Sequence, residues 1–320
     1  MSAVVVRLSG SSIIGTTFSL FSRNTRQWAE NSGWDRIDHP RQEIGPDTCG
    51  GDLLRLITTM GQPNPSSTDV LVVGVPGPVN TSQDVLYCPQ LPALAKDGGS
   101  LLRCGLGRMW SGPIVIANNT NLLAEAERAQ GAARSLCSTL VVTLGSGIGA
   151  AFILDGRVYT GKSGLAGEIG HIVIDPDGPQ CECGQKGCLE RYVSGDALMW
   201  FAKERNIVVE KPSELTTVPE AEEFVAQARE LLAQQLFNVI KPLGFQQILV
   251  GGMLAELFGP KQLAQIINSI RAPFMDDIGV RRCQFSPAEG VLVGGGQIGL
   301  RLQAELASQK LPSPLRLTTR

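Results

Sequence analysis

The stretch "GEIGHIVIDPDGPQCECGQKGCLE", Gly167 to Glu190, gathers into one loop one of only two histidines and three of the eight cysteines in the chain. His171 lies ten residues before Cys181, and Cys183 and Cys188 follow. Three thiolates and an imidazole make a Cys₃His set, which suits tetrahedral Zn²⁺ and leaves no open position for water. A closed site of this kind is structural, tying down a loop with too few apolar residues to hold itself. The alternative is three free thiols in a reducing compartment; Gly184 and Gly187 favour the knuckle by supplying the turns it needs. Glu168 and Glu190 bracket the cluster, and from spacing alone either is a site group or an ordinary solvated carboxylate.

The remaining five cysteines are scattered singly at Cys49, Cys88, Cys104, Cys137 and Cys283, which is no disulfide framework. They read as small apolar core residues. With 28 basic and 30 acidic residues among 320, the net charge of −2 gives no electrostatic reason to expect a nucleic acid or an anionic membrane as partner. No apolar run approaches the roughly 20 residues that cross a bilayer, and the opening "MSAVVVRLSGSS" reads as a strand and turn rather than a signal peptide. A cytoplasmic protein is expected. His39, in the polar stretch "WDRIDHPRQ", reads as a surface loop residue.

Outside the cysteine loop, two segments resemble each other. "VVVRLSGSSIIGTTFSLF" (Val4 to Phe21) and "LVVTLGSGIGAAFILDG" (Leu140 to Gly156) each read as an apolar strand, a Gly/Ser turn and a second strand. Their spacing of about 135 residues suggests two related α/β halves. Between them lie a helix at Gly51 to Met60, a buried strand in "DVLVVGVPGPV" (Asp69 to Val79), and "IVIANNTNLLAEAERAQ" (Ile114 to Gln130), a strand running into a helix. Further on, "EAEEFVAQARELLAQQLFNVIKPLG" places Phe224, Ala228, Leu231, Leu232, Leu236, Val239 and Ile240 on one helical face, with Pro242 and Gly244 as the stop. "QQILVGG" reads as a strand and "PKQLAQIINSI" as a helix; "GVLVGGGQIGLRLQAELA" reads as a strand or glycine turn into a last helix. The expected division is a smaller α/β domain over 1–117 with a C-terminal helix at about 297–310, a larger one over 118–296, and a frayed tail at 311–320.

"GSGIGAA" (Gly145 to Ala151) is no Rossmann loop, because a strand and not a helix follows it. A glycine hairpin can instead present N–H groups to a phosphate, or be a tight turn without a ligand.

Taken together, "GLAGEIGH" followed by "CECGQKGCLE", with "GVPGPV", "GSGIGAA" and "ILVGGM", resembles the ROK family of repressors, open reading frames and kinases over essentially the whole chain. Its members include glucokinases, N-acetylmannosamine kinases, allose kinases and sugar-responsive repressors. The resemblance implies an α/β, actin-like ATPase architecture, a ribonuclease-H-like duplication with ligands in a cleft between two domains. It implies zinc on His171, Cys181, Cys183 and Cys188, and a sugar pocket lined by Gly77, Asn118, Asn119, Glu168, His171 and Glu190. It implies nucleotide contacts, ATP with Mg²⁺, at Gly10, Ser11, Ser12, Gly145, Ser146, Gly147, Gly251 and Gly252. A homodimer is also implied. Family repressors carry a winged-helix region before the first hairpin; the hairpin here begins at Val4, so direct DNA binding is not expected.

Two positions depart from the family's kinases. They read Asn-Asp where this chain has Asn118-Asn119, and the aspartate is the general base, which an amide cannot replace. They read Asp-x-Gly-Gly-Thr-Lys where this chain has Arg7 to Ser12, so arginine reverses a charge that helps hold Mg²⁺. Arg7 either meets a phosphate, forms an ion pair in the emptied place, or points elsewhere in a shifted register. The reading expected first is a pseudokinase that binds a hexose or amino sugar with little or no phosphoryl transfer. The alternatives are a divergent ATP-dependent sugar kinase and a different chemistry in the same cleft.

Overall fold

The computed structural model describes residues 2–20, 34–60, 69–245 and 247–309. Phe21, at the end of the first expected hairpin, and the expected tail at 311–320 lie outside these residues. The chain divides into two compact units, Met1–Asn119 with Leu292–Arg320, and Thr120–Val291.

The first unit is built on one sheet with strand order β3-β2-β1-β4-β5. β1 (Ser2–Leu8) and β2 (Ser12–Leu20) form the expected hairpin and β3 (Trp34–Glu43) extends it antiparallel. After α1 (Gly50–Met60), β4 (Val70–Val75) pairs parallel to β1. After α2 (Leu101–Met109), β5 (Ile114–Asn118) pairs parallel to β4. The run "VLVVGV" of β4 is apolar at nearly every position because a central parallel strand is covered on both faces. On one face Val4, Val6 and Leu8 join Leu53, Ile57, Val73 and Leu106 in a buried cluster.

His39 is not in a loop. It sits in β3, and its Nε2 lies 2.8 Å from Thr17 Oγ1 on the neighbouring strand. β3 is the outer strand, where charged residues and a proline such as Pro40 block further pairing, so its polarity resembles that of a loop. The scattered cysteines also differ from expectation: Cys88 is buried, Cys283 half-buried, and Cys49, Cys104 and Cys137 are exposed. Cys49 stands just before α1, where its sulfur accepts from Asp52 N at 3.4 Å.

The second unit repeats the strand pattern. α3 (Asn119–Gln130) leads to the hairpin of β6 (Thr139–Leu144) and β7 (Ile148–Leu154), which β8 (Arg157–Tyr159) extends through the Asp155-Gly156 turn. Both turn residues have positive φ, 49° and 69°, as a two-residue hairpin turn requires. Two short helices follow the cysteine loop, α4 (Glu190–Val193) and α5 (Gly195–Glu204). α6 (Glu222–Ile240) buries Phe224, Ala228, Leu232, Leu236 and Ile240 against Leu140, Val142 and Leu144 of β6. Then β9 (Gln247–Gly251) pairs parallel to β6, α7 (Ala255–Phe258) and α8 (Pro260–Ile270) follow, and β10 (Gly279–Arg282) closes the sheet. The order β10-β9-β6-β7-β8 matches β5-β4-β1-β2-β3 strand for strand.

The largest departure is the last helix. The segment "GVLVGGG" is neither strand nor turn but part of α9, which runs unbroken over Pro287–Gln309 and starts about ten residues before the expected 297. The glycines are used for packing. A Cβ on Gly295 would stand 2.4 Å from Val5 Cγ1, one on Gly296 2.8 Å from Phe18 Cε2, and one on Gly299 2.6 Å from Ala3 Cβ. Small residues let the helix backbone lie directly on the second face of the first sheet, outweighing a helix-propensity cost of ~1 kcal/mol per glycine. Gly295→Ala should therefore lower stability by about 1–2 kcal/mol in urea unfolding although alanine is the better helix former. A gain would overturn this packing.

Candidate functional site

In the first unit the residues singled out in the sequence collect at the ends of three neighbouring strands. Asn118 closes β5 and its Nδ2 donates to Gly77 O at 2.9 Å, tying the strand end to the loop after β4. Gly77 must be glycine, since a Cβ would meet Tyr87 O at 2.1 Å. Asn119 opens α3, and its Nδ2 donates to Leu8 O at 2.9 Å at the end of β1. Its Oδ1 is buried with no hydrogen-bond partner among the described residues. The tip of the first hairpin holds itself together: Ser9 N donates to Ser12 O at 2.9 Å, and Ser12 N to Ser9 Oγ at 3.1 Å. Gly10 packs on Gln90, and Ser11 is exposed.

Arg7 stands in β1 opposite Ile14 on one side and Gly74 on the other. Its Nε is buried and unpartnered, and no carboxylate among the described residues pairs with it. Burial, and then the like charge of Arg41, depress its pKa. Of the groups named at this strand end, two amides and hydroxyls offer neutral oxygens and the guanidinium a positive charge, with none of the carboxylate charge that usually helps hold Mg²⁺.

In the second unit the cysteine loop folds as a knuckle. Ile174 N donates to Gly187 O at 2.9 Å, Leu189 N to Ile172 O at 2.9 Å and Cys181 N to Gln185 O at 2.8 Å. Gly187, at φ +63°, is pressed so closely on Asp175 that any side chain would collide with its carbonyl. These turns bring the one histidine and three thiols together. Cys181 Sγ is 3.6 Å from His171 Nδ1 and Cys183 Sγ 3.6 Å from Cys188 Sγ, and all four ligand atoms lie within 4.8 Å of one another. Sulfurs bound at ~2.3 Å around one tetrahedral Zn²⁺ stand roughly 3.8 Å apart, so this donor set fits zinc. Burial raises the Cys188 thiol to about 12, with Cys183 and Cys181 adding to the rise. A dication would reverse that preference by favouring the thiolates.

The same loop reaches the glycine hairpin. Glu190, two residues after Cys188, lays its carboxylate over the tip of β6 and β7, where Oε2 accepts from Ile148 N at 2.6 Å. Gly147 leaves room for it, because a Cβ there would stand 2.5 Å from Oε2. Gly145 O accepts from Gly195 N at 2.7 Å, at the start of α5. Ser146 is next in the tip, and Gly252, at φ +96°, packs on Leu144 O at the last residue of β6 before that tip, just beyond Gly251 at the end of β9. Burial raises the Glu168 carboxyl; His171 opposes the rise and Glu190 adds to it. Burial also raises Glu190, against the Ile148 N–H and His171.

Comparison with known proteins adds to this geometry. The ROK family model matches residues 37–289. The chain belongs to the ROK family. Its α/β fold with two mixed sheets is the actin-like ATPase fold of that family. The chain is 32% identical over 157 residues to the xylose repressor of Bacillus subtilis (strain 168), covering 49% of this chain and 40% of that protein. It is 30% identical over 201 residues to the N-acetyl-D-glucosamine kinase of Pectobacterium carotovorum subsp. carotovorum, covering 58% and 64%. The chain thus spans less than two thirds of these curated relatives' length. Among solved structures it resembles the ROK hexokinase from Thermus thermophilus, with a TM-score of 0.70, 25% identity, and coverage of 97% of this chain and 100% of that one.

Two positioning contacts of this ROK chain are not legible in its sequence. Glu190 on Ile148 joins residues 42 apart in sequence, and nothing in either segment announces the pair. Gln83, at φ +64°, turns its Oε1 to accept from Ile116 N at 2.8 Å. A non-glycine residue held at positive φ is costly and visible only in the structure. A closed zinc knuckle predicts one Zn²⁺ per purified chain, lost on Cys188→Ser and on chelation with a large fall in thermal midpoint; a chain with clearly less zinc and no response to chelator overturns it. Glu190→Ala should leave the Ile148 N–H without its acceptor, at ~1–3 kcal/mol, and speed its amide exchange at least tenfold.

Proposed function

We propose that this ROK chain binds a hexose or amino sugar and transfers phosphate slowly or not at all. The observation that carries this reading is the use of Asn119. Its Nδ2 is committed to Leu8 O, and its remaining atom is an amide oxygen with no basicity near neutral pH. A sugar hydroxyl attacking a phosphoryl group needs a proton acceptor, and the family's kinases place an aspartate there. General-base help is worth ~10²–10⁴-fold, so its loss removes most transfer without removing binding. Arg7 points the same way, since positive charge at the first hairpin opposes the metal that phosphoryl transfer depends on.

The sugar-binding part of the reading rests on groups that are kept. Asn118, Glu168, His171 and Glu190 carry planar amide, imidazole and carboxylate groups that suit hydroxyls, and Gly77 lets the chain run close to Asn118. Zinc on His171, Cys181, Cys183 and Cys188 would fix the imidazole and, through the short link from Cys188, the Glu190 carboxylate. The similarity to a xylose repressor supports sugar recognition without transfer. A divergent kinase is the second reading, supported by similarity to an N-acetyl-D-glucosamine kinase.

One comparison separates the two. The wild type should bind one or more sugars from a panel of hexoses and hexosamines, yet turn over ATP with that sugar at least ~10²-fold more slowly than Arg7→Asp, Asn119→Asp. Wild-type turnover at the ordinary ~1–10³ s⁻¹ overturns the proposal. Glu168→Gln should weaken sugar binding about tenfold or more, as loss of a charged hydrogen-bond acceptor does.

A further inference from the structure

β5 is the last strand on its side of the first sheet, so every second N–H along it has no neighbouring strand to bond to. The N–H of Ile116, whose side chain is buried in the core, is satisfied instead by Gln83 Oε1 at 2.8 Å. Gln83 belongs to the loop after β4, which meets that edge as a small turn closed on itself. Val79 and Val85 bridge antiparallel, Asn80 Oδ1 accepts from Ser82 N at 2.9 Å and from Asp84 N at 3.0 Å, and Arg103 Nε donates to Asp84 Oδ1 at 2.9 Å. Within the turn Gln83 N donates to Asn80 O at 2.9 Å, and Gln83 is held at φ +64°. Glycine would take that left-handed conformation without strain, so the turn itself is no reason for a glutamine at 83. Its amide is used outside the turn, on β5.

Two residues beyond Ile116, Asn118 Nδ2 donates back to Gly77 O at 2.9 Å, at the start of the same loop. Loop and strand are thus joined by two side-chain bonds running in opposite directions, one supplied by each partner. Asn118 and Gly77 are the groups the first unit lends to the proposed sugar site, and the Asn118 amide keeps its orientation only while Gly77 O stays in place. The foot of the loop has no slack, since a Cβ on Gly77 would stand 2.1 Å from Tyr87 O. A shift of the loop therefore has to be resisted at its other end, where Gln83 holds β5. We propose that Gln83 is a positioning residue for sugar binding: by fixing the loop on Ile116 N it keeps Gly77 O against the Asn118 amide, and so sets sugar affinity through Asn118. The proposal rests on the sugar-binding reading above and adds to it a residue outside the expected pocket.

The test is calorimetric titration of the full, zinc-loaded chain with glucose, mannose, N-acetyl-D-glucosamine and N-acetyl-D-mannosamine, for the wild type and two variants. Gln83→Gly removes the bond to Ile116 N and at the same time relieves the positive φ, so its thermal midpoint should stay close to that of the wild type while sugar affinity falls about tenfold. Gln83→Glu keeps an acceptor at the same place and should recover most of that affinity. A second readout needs no sugar. In Gln83→Gly the side-chain NH₂ of Asn118, protected by Gly77 O in the wild type, should exchange about tenfold faster or more, and Gln83→Glu should restore its protection. Unchanged affinity in Gln83→Gly, a loss that Gln83→Glu does not recover, or an Asn118 amide indifferent to both variants overturns the proposal. A wild type that binds none of the four sugars overturns the sugar reading, and the link from Gln83 to Asn118 is then decided by the amide exchange alone.

Discussion

In each unit one strand, β1 or β6, bonds antiparallel to one neighbour and parallel to the other. An antiparallel neighbour can follow at once through a tight turn, whereas a parallel one requires a crossover through a helix. The chain therefore makes the hairpin first and returns later, and the returning strand ends beside the hairpin tip. The register fixes this: Gly74 of β4 lies opposite Arg7, and Gly251 of β9 opposite Thr143. Every residue later needed at a strand end, from Gly77 and Asn118 to Gly252, is delivered by that one hydrogen-bonding pattern, used twice.

Within the second unit a further link is added by the knuckle. A loop without an apolar core has no cohesion of its own, and the four converging ligand atoms of His171, Cys181, Cys183 and Cys188 mark where a metal would supply it. Glu190 follows the last of these cysteines by two residues and bonds to Ile148 N in the glycine hairpin. The hairpin tip is thus held from outside by a carboxylate whose position descends from the knuckle. Gly147 is glycine for that contact as much as for the turn, because a side chain there would displace the carboxylate. A change in the knuckle would be felt at the hairpin through a single side chain.

The duplication was legible because each hairpin announces itself by an apolar strand, a Gly/Ser turn and a second apolar strand. The knuckle was legible because its ligand types are rare and close in sequence. What escaped depended on neighbours distant in sequence. His39 lies in a strand whose polarity serves to keep an edge unpaired, and that pattern resembles a loop. Gly295, Gly296 and Gly299 look like breakers until Val5, Phe18 and Ala3 are seen beneath them. The average behaviour of cysteine places Cys104 and Cys137 in the core, yet both are exposed. Local chemistry predicts local structure; it cannot show which distant surface has claimed a residue.

The amide at Asn119 has a structural consequence as well as a chemical one. Its Nδ2 donates to the carbonyl of Leu8, joining the end of β1 to the first residue of α3. An ionised aspartate has only acceptors, and in the same place it would face that carbonyl with like charge and no proton to offer. The clamp and the general base are therefore mutually exclusive uses of one side chain in this arrangement. The amide thus links the end of β1 to the first residue of α3 through an N–H that an aspartate would lack.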